Sequence, residues 1–265
     1  MLTINRRLKG LRIREIYFAA DLPVREQGCD ILQLVQCAVP PGPQAIRFHS
    51  SIVNIDREEE ALLAGLSKNC RYEVRRAQDK DGLECEVLER PDETALAVFR
   101  AAFSEFARTT GIAPANNEKL VALHAAAALT LSTVRREGAI LAQHVYLHDA
   151  RRTRLLYSHS AARGSDDSAR RALIGRANRL LHWRDMLAFK ARGFEAYDLG
   201  GIAHTAELAG IDRFKMEFGG EPTMEWNGFV GAGPLGQFAL AARTAAIKAR
   251  GLVRPRVVPP TGSVI

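Results

Sequence analysis

The chain has 265 residues, 47% hydrophobic and 25% charged, with 37 Lys and Arg against 30 Asp and Glu and a net charge of +7. This composition supports a sizeable core and excludes disorder as the main state. No run of eighteen apolar residues is present, and the basic run Arg6, Arg7, Lys9 passes into Arg12, Arg14 and Glu15 rather than an apolar signal core, so a cytoplasmic protein without a membrane span is expected.

Residues 11–20, 30–39 and 45–55 are short β-leaning runs split by Pro23 and by Pro40-Pro41-Gly42-Pro43, which predicts three opening strands. Asp56 and the acids Glu58, Glu59 and Glu60 start a helix carrying Leu62, Leu63, Leu66, Tyr72 and Val74, ending near Asp79 to Gly82. Residues 83–89 alternate as a strand. Pro91 opens a helix with Leu96, Phe99, Phe103 and Phe106 at spacings of three and four, and Asn116-Asn117 caps another through the alanine run 125–128. Residues 129–135, 139–148 and 153–161 form three strands joined by hairpin-like turns, most simply an antiparallel meander.

The longest helix is expected over 168–192, with Leu173, Ala177, Leu180, Leu187 and Ala191 on its apolar face and Arg171, Arg179 and His182 opposite. Arg184 falls on the apolar side of that wheel, where it must snorkel, pair with a carboxylate or reach a ligand. Gly193 caps the helix, 194–199 form a strand, Gly200-Gly201 opens a loop, and a short helix from Ile211 to Phe218 precedes a last strand over 222–230. An Ala-rich helix from Pro234 to Gly251 and a flexible tail over 252–265 complete an α+β order.

The charge is uneven. From Arg151 to Arg192 the balance is +8, and from Ala241 onward Arg243, Lys248, Arg250, Arg254 and Arg256 meet no acid, which suits a phosphate-rich partner or a solvated basic face. Cys29, Cys37, Cys70 and Cys85 and the seven histidines lack paired ligand spacing, so buried thiols and no metal site are expected.

Residues 197–220, YDLGGIAHTAELAGIDRFKMEFGG, resemble the C-terminal signature of the Fem-type aminoacyltransferases, a branch of the GNAT-like acyltransferase superfamily. In that signature a strand ending in Asp-x-Gly-Gly leads to Phe-Lys-x-x-Phe-Gly. The runs 66–76 and 180–184 add supporting matches, and the resemblance spans about residues 45–230. It implies a GNAT-like fold: a mixed, mostly antiparallel sheet flanked by helices, with a V-shaped opening between two central strands. It also permits two lobes, a trimmed N-terminal one over 1–92 and a C-terminal one over 93–251. The implied reaction joins an activated carbonyl to a primary amine of a small molecule or peptide, through a tetrahedral oxyanion that a cation stabilises.

On this resemblance Lys215 stabilises the oxyanion and Phe214 lines the substrate site. Asp198 orients the acceptor ammonium or takes its proton, or else caps a turn. Tyr157 and His159 share a strand face and can line the cleft, with His159 the histidine suited to base work or a core residue. Arg71, Arg75 and Arg76 gather at a helix end where they can hold phosphates or meet the helix dipole. Arg184 is a further substrate-side candidate, and Arg171 and Arg179 lie on the basic helix facing the donor.

No cofactor is expected to reside permanently, and the acyl donor is aminoacyl-tRNA or acyl-CoA. Arg163 is followed by Gly164-Ser165-Asp166-Asp167 instead of the glycine-rich turn that cradles a CoA pyrophosphate, and the basic helix suits a polyanion. Two alternatives stand beside the aminoacyltransferase: an acyl-CoA-dependent N-acetyltransferase acting on an amino sugar or similar amine, and a non-catalytic module binding nucleic acid through the basic face.

Overall fold

A computed structural model describes residues 1–22, 28–42, 44–161, 167–203 and 205–249. The stretch read for a phosphate turn at Arg163-Gly164 and the tail expected over 252–265 lie outside these residues.

Alternating Leu2 and Ile4 go inward while Thr3 and Asn5 face water, which makes Leu2–Leu8 a strand, β1. It turns at Lys9 and Gly10, with φ of 50° and 83°, into β2, Leu11–Tyr17. The basic run had hidden β1, so four strands open the fold rather than three. The others are β3, Ile31–Cys37, and β4, Ile46–Asn54. The next expected helix is broken at Leu66-Ser67 into α1, Glu59–Gly65, and α2, Lys68–Lys80, because the Ser67 hydroxyl caps a new helix by accepting from the Cys70 amide at 3.1 Å.

Strand β5, Glu84–Leu88, precedes α3, Glu93–Thr110, which Asp92 caps at 2.7 Å from the Ala95 amide and Gly111 ends at φ 71°. After α4, Asn117–Ala125, come β6, Leu129–Arg136, β7, Ala139–His148, and β8, Arg152–Ser160, as the expected meander. Helix α5, Ser168–Ala191, and β9, Ala196–Gly201, follow. The chain then takes a single 3-10 turn at Ala206–Leu208 before α6, Ala209–Met216, β10, Glu221–Gly231, and α7, Pro234–Ala249. β9 runs on through Gly200-Gly201, where a loop was expected: Gly200, at φ 82°, sits in a bulge that opposes β4.

Among the described residues ten strands join one sheet in the order β1-β2-β3-β10-β4-β9-β8-β7-β6-β5, and of its pairings β2–β3 and β8–β9 are parallel. One face is covered by α3 and α4, whose Leu96, Phe99, Phe103 and Leu120 pack with Leu131, Val145 and Tyr157. Against the other face lie α2 and α5, with Val74, Leu180, Trp183, Met186 and Phe189 on Tyr197 and Leu199. Truncating one such aromatic, Phe99 or Phe189, is worth about 3–5 kcal/mol.

Two positions on α5 differ from the sequence wheel. Arg184 is exposed and His182 is fully buried. A single apolar stripe was read for a helix that is covered by the sheet on one side and by α2 on another, so most of its circumference is interior.

Candidate active site

β8 and β9 pair over only three rungs, Arg152 with Ala196, Thr153 with Tyr197 and Arg154 with Asp198. Past Arg154, β8 stays with β7 and β9 with β4, and each carries a register shift just beyond the last shared rung. Bulges bend strands, so the two part into a wedge that opens toward their C-terminal ends. This is the V-shaped opening expected of the fold.

Helix α6 sits at that opening. Phe214 and Phe218, one helical turn apart, pack at 5.2 Å on each other and at 5.6 and 4.9 Å on the His182 ring. With those two rings anchored toward α5, Lys215 points round the helix toward β9, where its Nζ donates to the Gly201 carbonyl at 2.5 Å. Lys215 is 2% exposed, and burial pushes it down to about 8 while Asp198 and Asp212 favour its charged form. The turn after α6 requires glycine: a Cβ at Gly219, φ 76°, would lie 2.6 Å from the Gly65 carbonyl oxygen.

Asp198, fully buried, is committed to its neighbours. One carboxylate oxygen accepts from the Gly200 amide at 2.7 Å; the other accepts from the Gln36 amide at 2.8 Å and from Arg152 at 2.6 Å. Arg152 also reaches Glu225 at 2.6 and 2.8 Å, and Gln36 donates to Glu225 at 2.9 Å. Burial alone would raise the Asp198 carboxyl, but the guanidinia of Arg152 and Arg154 and the Gln36 amide outweigh it and hold the group below the usual carboxylate range. So placed, Asp198 is an ionised positioning group with little basicity, and it also caps the β9 bulge. Gln36 and Phe18 both have positive φ, 54° and 59°, and both contact this cluster, Phe18 with the Arg152 guanidinium 4.3 Å above its ring. Left-handed backbone in non-glycine residues is strain that the surrounding structure imposes.

Tyr157 and His159 do share a face, the one over α3. The Tyr157 hydroxyl accepts from the Asn116 amide at 2.9 Å, and its ring meets Phe103 at 5.1 Å. His159 lies among Phe99, Phe103 and Phe106, with Nε2 3.0 Å from Gln143, and burial pushes it down to about 4. A histidine with that value is neutral at pH 7 and weakly basic.

The arginines separate. Arg179 spans α2, α5 and α6: it reaches Glu217 at 2.8 Å and Glu73 at 3.3 Å and stacks 5.0 Å from the Phe214 ring. Arg176 pairs with Asp81 at 2.6 Å. Arg171, Arg75, Arg76 and Arg184 are exposed, and half-buried Arg71 lies 3.5 Å from the Leu66 carbonyl. The basic surplus of α5 is therefore partly spent inside the fold.

Sequence reading missed a second buried chain behind α6. His144 bonds Asp185 and Asn178, each at 2.8 Å; Tyr146 donates to Asp185 at 2.6 Å and lies 2.6 Å from the Tyr197 hydroxyl; Tyr197 lies 2.7 Å from His182. Asn178, His182 and Asp185 fall one and two turns apart on α5, a polar stripe along one line of the helix that could have exposed them. Donor atoms of His144, His182 and Asp185 come within 4.8 Å of one another. The 2.8 Å between His144 and Asp185 is hydrogen-bond spacing, closer than the roughly 3.3 Å that ligand atoms keep around a tetrahedral zinc ion. Also missed were Gln36, Arg152, Arg154 and Glu225, which the sheet gathers from three strands. Their signal was the alternation of Arg152 and Arg154 on one strand face.

A family model described as an acetyltransferase (GNAT) domain matches residues 64–216, more than half of the chain. Among solved structures, FemX is similar at 16% identity and a TM-score of 0.54, over 68% of this chain and 61% of that one. The chain thus spans about three fifths of FemX. L-PGS from Bacillus licheniformis aligns at 11% identity and a TM-score of 0.52, covering 80% and 72% of the two chains. The C-terminal domain of a candidate lysylphosphatidylglycerol synthetase from Agrobacterium fabrum aligns at 12% and 0.51, covering 82% and 72%. At these identities the likeness is one of fold. No curated protein sequence matches.

Proposed function

The chain belongs to the acetyltransferase (GNAT) domain family, and from that premise we propose that it moves an aminoacyl group from charged tRNA to the primary amine of a small molecule or peptide. It is an acyltransferase that forms an amide, so an acyl donor and an amine acceptor are its substrates. No described helix is long and apolar enough to cross a membrane.

The observation that carries the proposal is Lys215, a buried cation held, among the described residues, by a single carbonyl at the strand that borders the wedge. An ammonium has three N–H donors, and Gly201 takes one. The remainder can meet the oxygen of a carbonyl seated in the wedge. As the acceptor amine attacks, the new C–N bond places negative charge on that oxygen, and Lys215 offsets it. Collapse breaks the ester C–O bond, and the amine proton passes to the departing ribose oxygen. Phe214 fixes the helix that aims Lys215. Asp198 keeps β9 in shape through Gly200 and Arg152, rather than shuttling the proton itself. A dry, preorganised cation of this kind is worth about 10²–10³ in rate. The fold shared with FemX and L-PGS supports the aminoacyl reading, and so does the sequence Arg163-Gly164-Ser165-Asp166-Asp167, which offers no glycine-rich pyrophosphate turn. The two-lobe division at residues 92 and 93 belongs to the same proposal.

The family description favours a second reading, in which acyl-CoA is the donor. Incubating the protein separately with charged tRNA and with acyl-CoAs, each with and without candidate amines, and scoring acyl release by mass spectrometry separates the two. Release from charged tRNA that Lys215→Met abolishes is expected. Release from acyl-CoA alone would replace the donor, and undiminished turnover in Lys215→Met would remove the role given to that residue.

A further inference from the structure

Arg152 and Arg154 stand two residues apart on one face of β8, with opposite fates. Arg152 spends its guanidinium on Asp198 and Glu225. Arg154, on the last rung shared with β9, is 2% exposed, and its side chain forms no hydrogen bond or ion pair among the described residues. Its Nε has no hydrogen-bond partner among the described residues; the Phe48 ring lies 5.5 Å from the guanidinium carbon, and Asp198 and Glu225 favour its charge without forming an ion pair with it. A guanidinium cannot shed its proton to escape this, so its burial without a direct ion-pair partner is destabilising.

Nothing nearby has charge to spare. Asp198 and Glu225 serve Arg152, and Glu15 serves Lys119 at 3.0 Å, Arg6 and the Tyr17 hydroxyl. Around Arg154 stand buried Lys119 and Lys215 and half-buried Arg6 and Arg152 against the carboxylates of Glu15, Asp198 and Glu225, each already engaged. Arg154 adds a further cation at the vertex of the wedge, where the two strands begin to part.

We propose that Arg154 is an anion-binding residue, which receives a carboxylate or phosphate group of a substrate reaching the vertex of the β8–β9 wedge. The inference rests on reading the wedge as the acyl-transfer site, and it adds a substrate class: one of the two substrates carries an anionic oxygen group close to its reacting centre. Lys215 serves the reacting carbonyl and Arg154 the anion. A guanidinium fork suits two oxygens of one carboxylate or phosphate.

The test is thermal unfolding of the full chain, titrated with inorganic phosphate and with acetate at constant ionic strength set by chloride. The expected result is a saturable rise in Tm with at least one of the two anions, and which one responds distinguishes a phosphate from a carboxylate. Arg154→Met should abolish that rise and, in chloride alone, melt higher than the native protein, because an unpaired buried charge has been removed. Arg154→Lys, which keeps the charge and loses the fork, should retain the rise at roughly tenfold higher anion concentration. No anion-dependent rise in the native protein, a rise that persists in Arg154→Met, or an Arg154→Met that melts lower in chloride would each overturn the assignment. Lys215→Met should keep the anion-dependent rise while losing transfer, so failure of the oxyanion role leaves this result readable on its own.

Discussion

The ammonium of Lys215 on α6 donates to the main-chain carbonyl of Gly201 at the end of β9, 2.5 Å away, tying a helix side chain to the strand that borders the wedge. Burial brings that lysine down to about 8. Below that pH the cation is present, and above it the cation fades. The kcat/KM of transfer should therefore fall as pH rises through about 8, and a profile flat to pH 9.5 would exclude the lysine from the chemistry.

The same shift sets a stability window. Lys215 falls from 10.5 in the unfolded chain to about 8 in the native one. Between those values the unfolded chain holds a proton the native state has lost, so native stability rises with pH across that range, while below about 8 the burial penalty is constant. Lys215→Met should melt higher than the native protein at pH 7 and lose the alkaline rise, as melting curves at pH 7, 8.5 and 10 would record.

Arg152 neutralises Asp198 and Glu225 together, and both carboxylates are buried. Arg152→Met would leave them facing each other without their direct ion-pair partner, at a cost of about 3–5 kcal/mol. Urea denaturation measures this; a loss under 1 kcal/mol would mean that the cluster is open to water.

Arg179 is held by Glu217, Glu73 and the Phe214 ring, so its removal should loosen the seat of α6. Arg179→Ala should cost about 1–3 kcal/mol in stability and slow transfer, yet leave the salt dependence of tRNA binding unchanged. Arg171→Glu, on the exposed surface, is the variant expected to alter that salt slope in filter binding. The reverse pattern would place the polyanion on the paired arginine.

His159 moves from 6.5 to about 4 on folding because burial disfavours its charged form. Its contribution to stability is complete above pH 6.5 and is lost as pH falls toward 4, since the unfolded chain takes up the proton first. His159→Gln should flatten the acid limb of a Tm-against-pH curve between those values. Activity should show no ascending limb from this residue near pH 6.5.

Much was written along the chain. The spacing of Phe99, Phe103 and Phe106, the cap at Asn116, and the alternation through residues 129–160 are local signals, because a helix or strand is set by neighbours within a few residues. The signature around Asp198, Gly200 and Lys215 was legible for the same reason: strand end, bulge and helix lie within about twenty consecutive positions, and only glycine readily supplies the positive φ at 200.

What tertiary structure alone decided is which charges meet. Nothing near Arg152 in the sequence shows that Glu225, 73 residues on, would be its partner, or that β10 would return between β3 and β4 to bring it there. Nor could composition show that Arg176 and Arg179 are spent on Asp81, Glu73 and Glu217 while Arg154, on the same strand face as Arg152, forms no ion pair among the described residues. Hydrophobic pattern tells each element which face to bury, but Coulomb energy depends on separation and on the exclusion of water, and both are fixed only when distant strands are brought side by side.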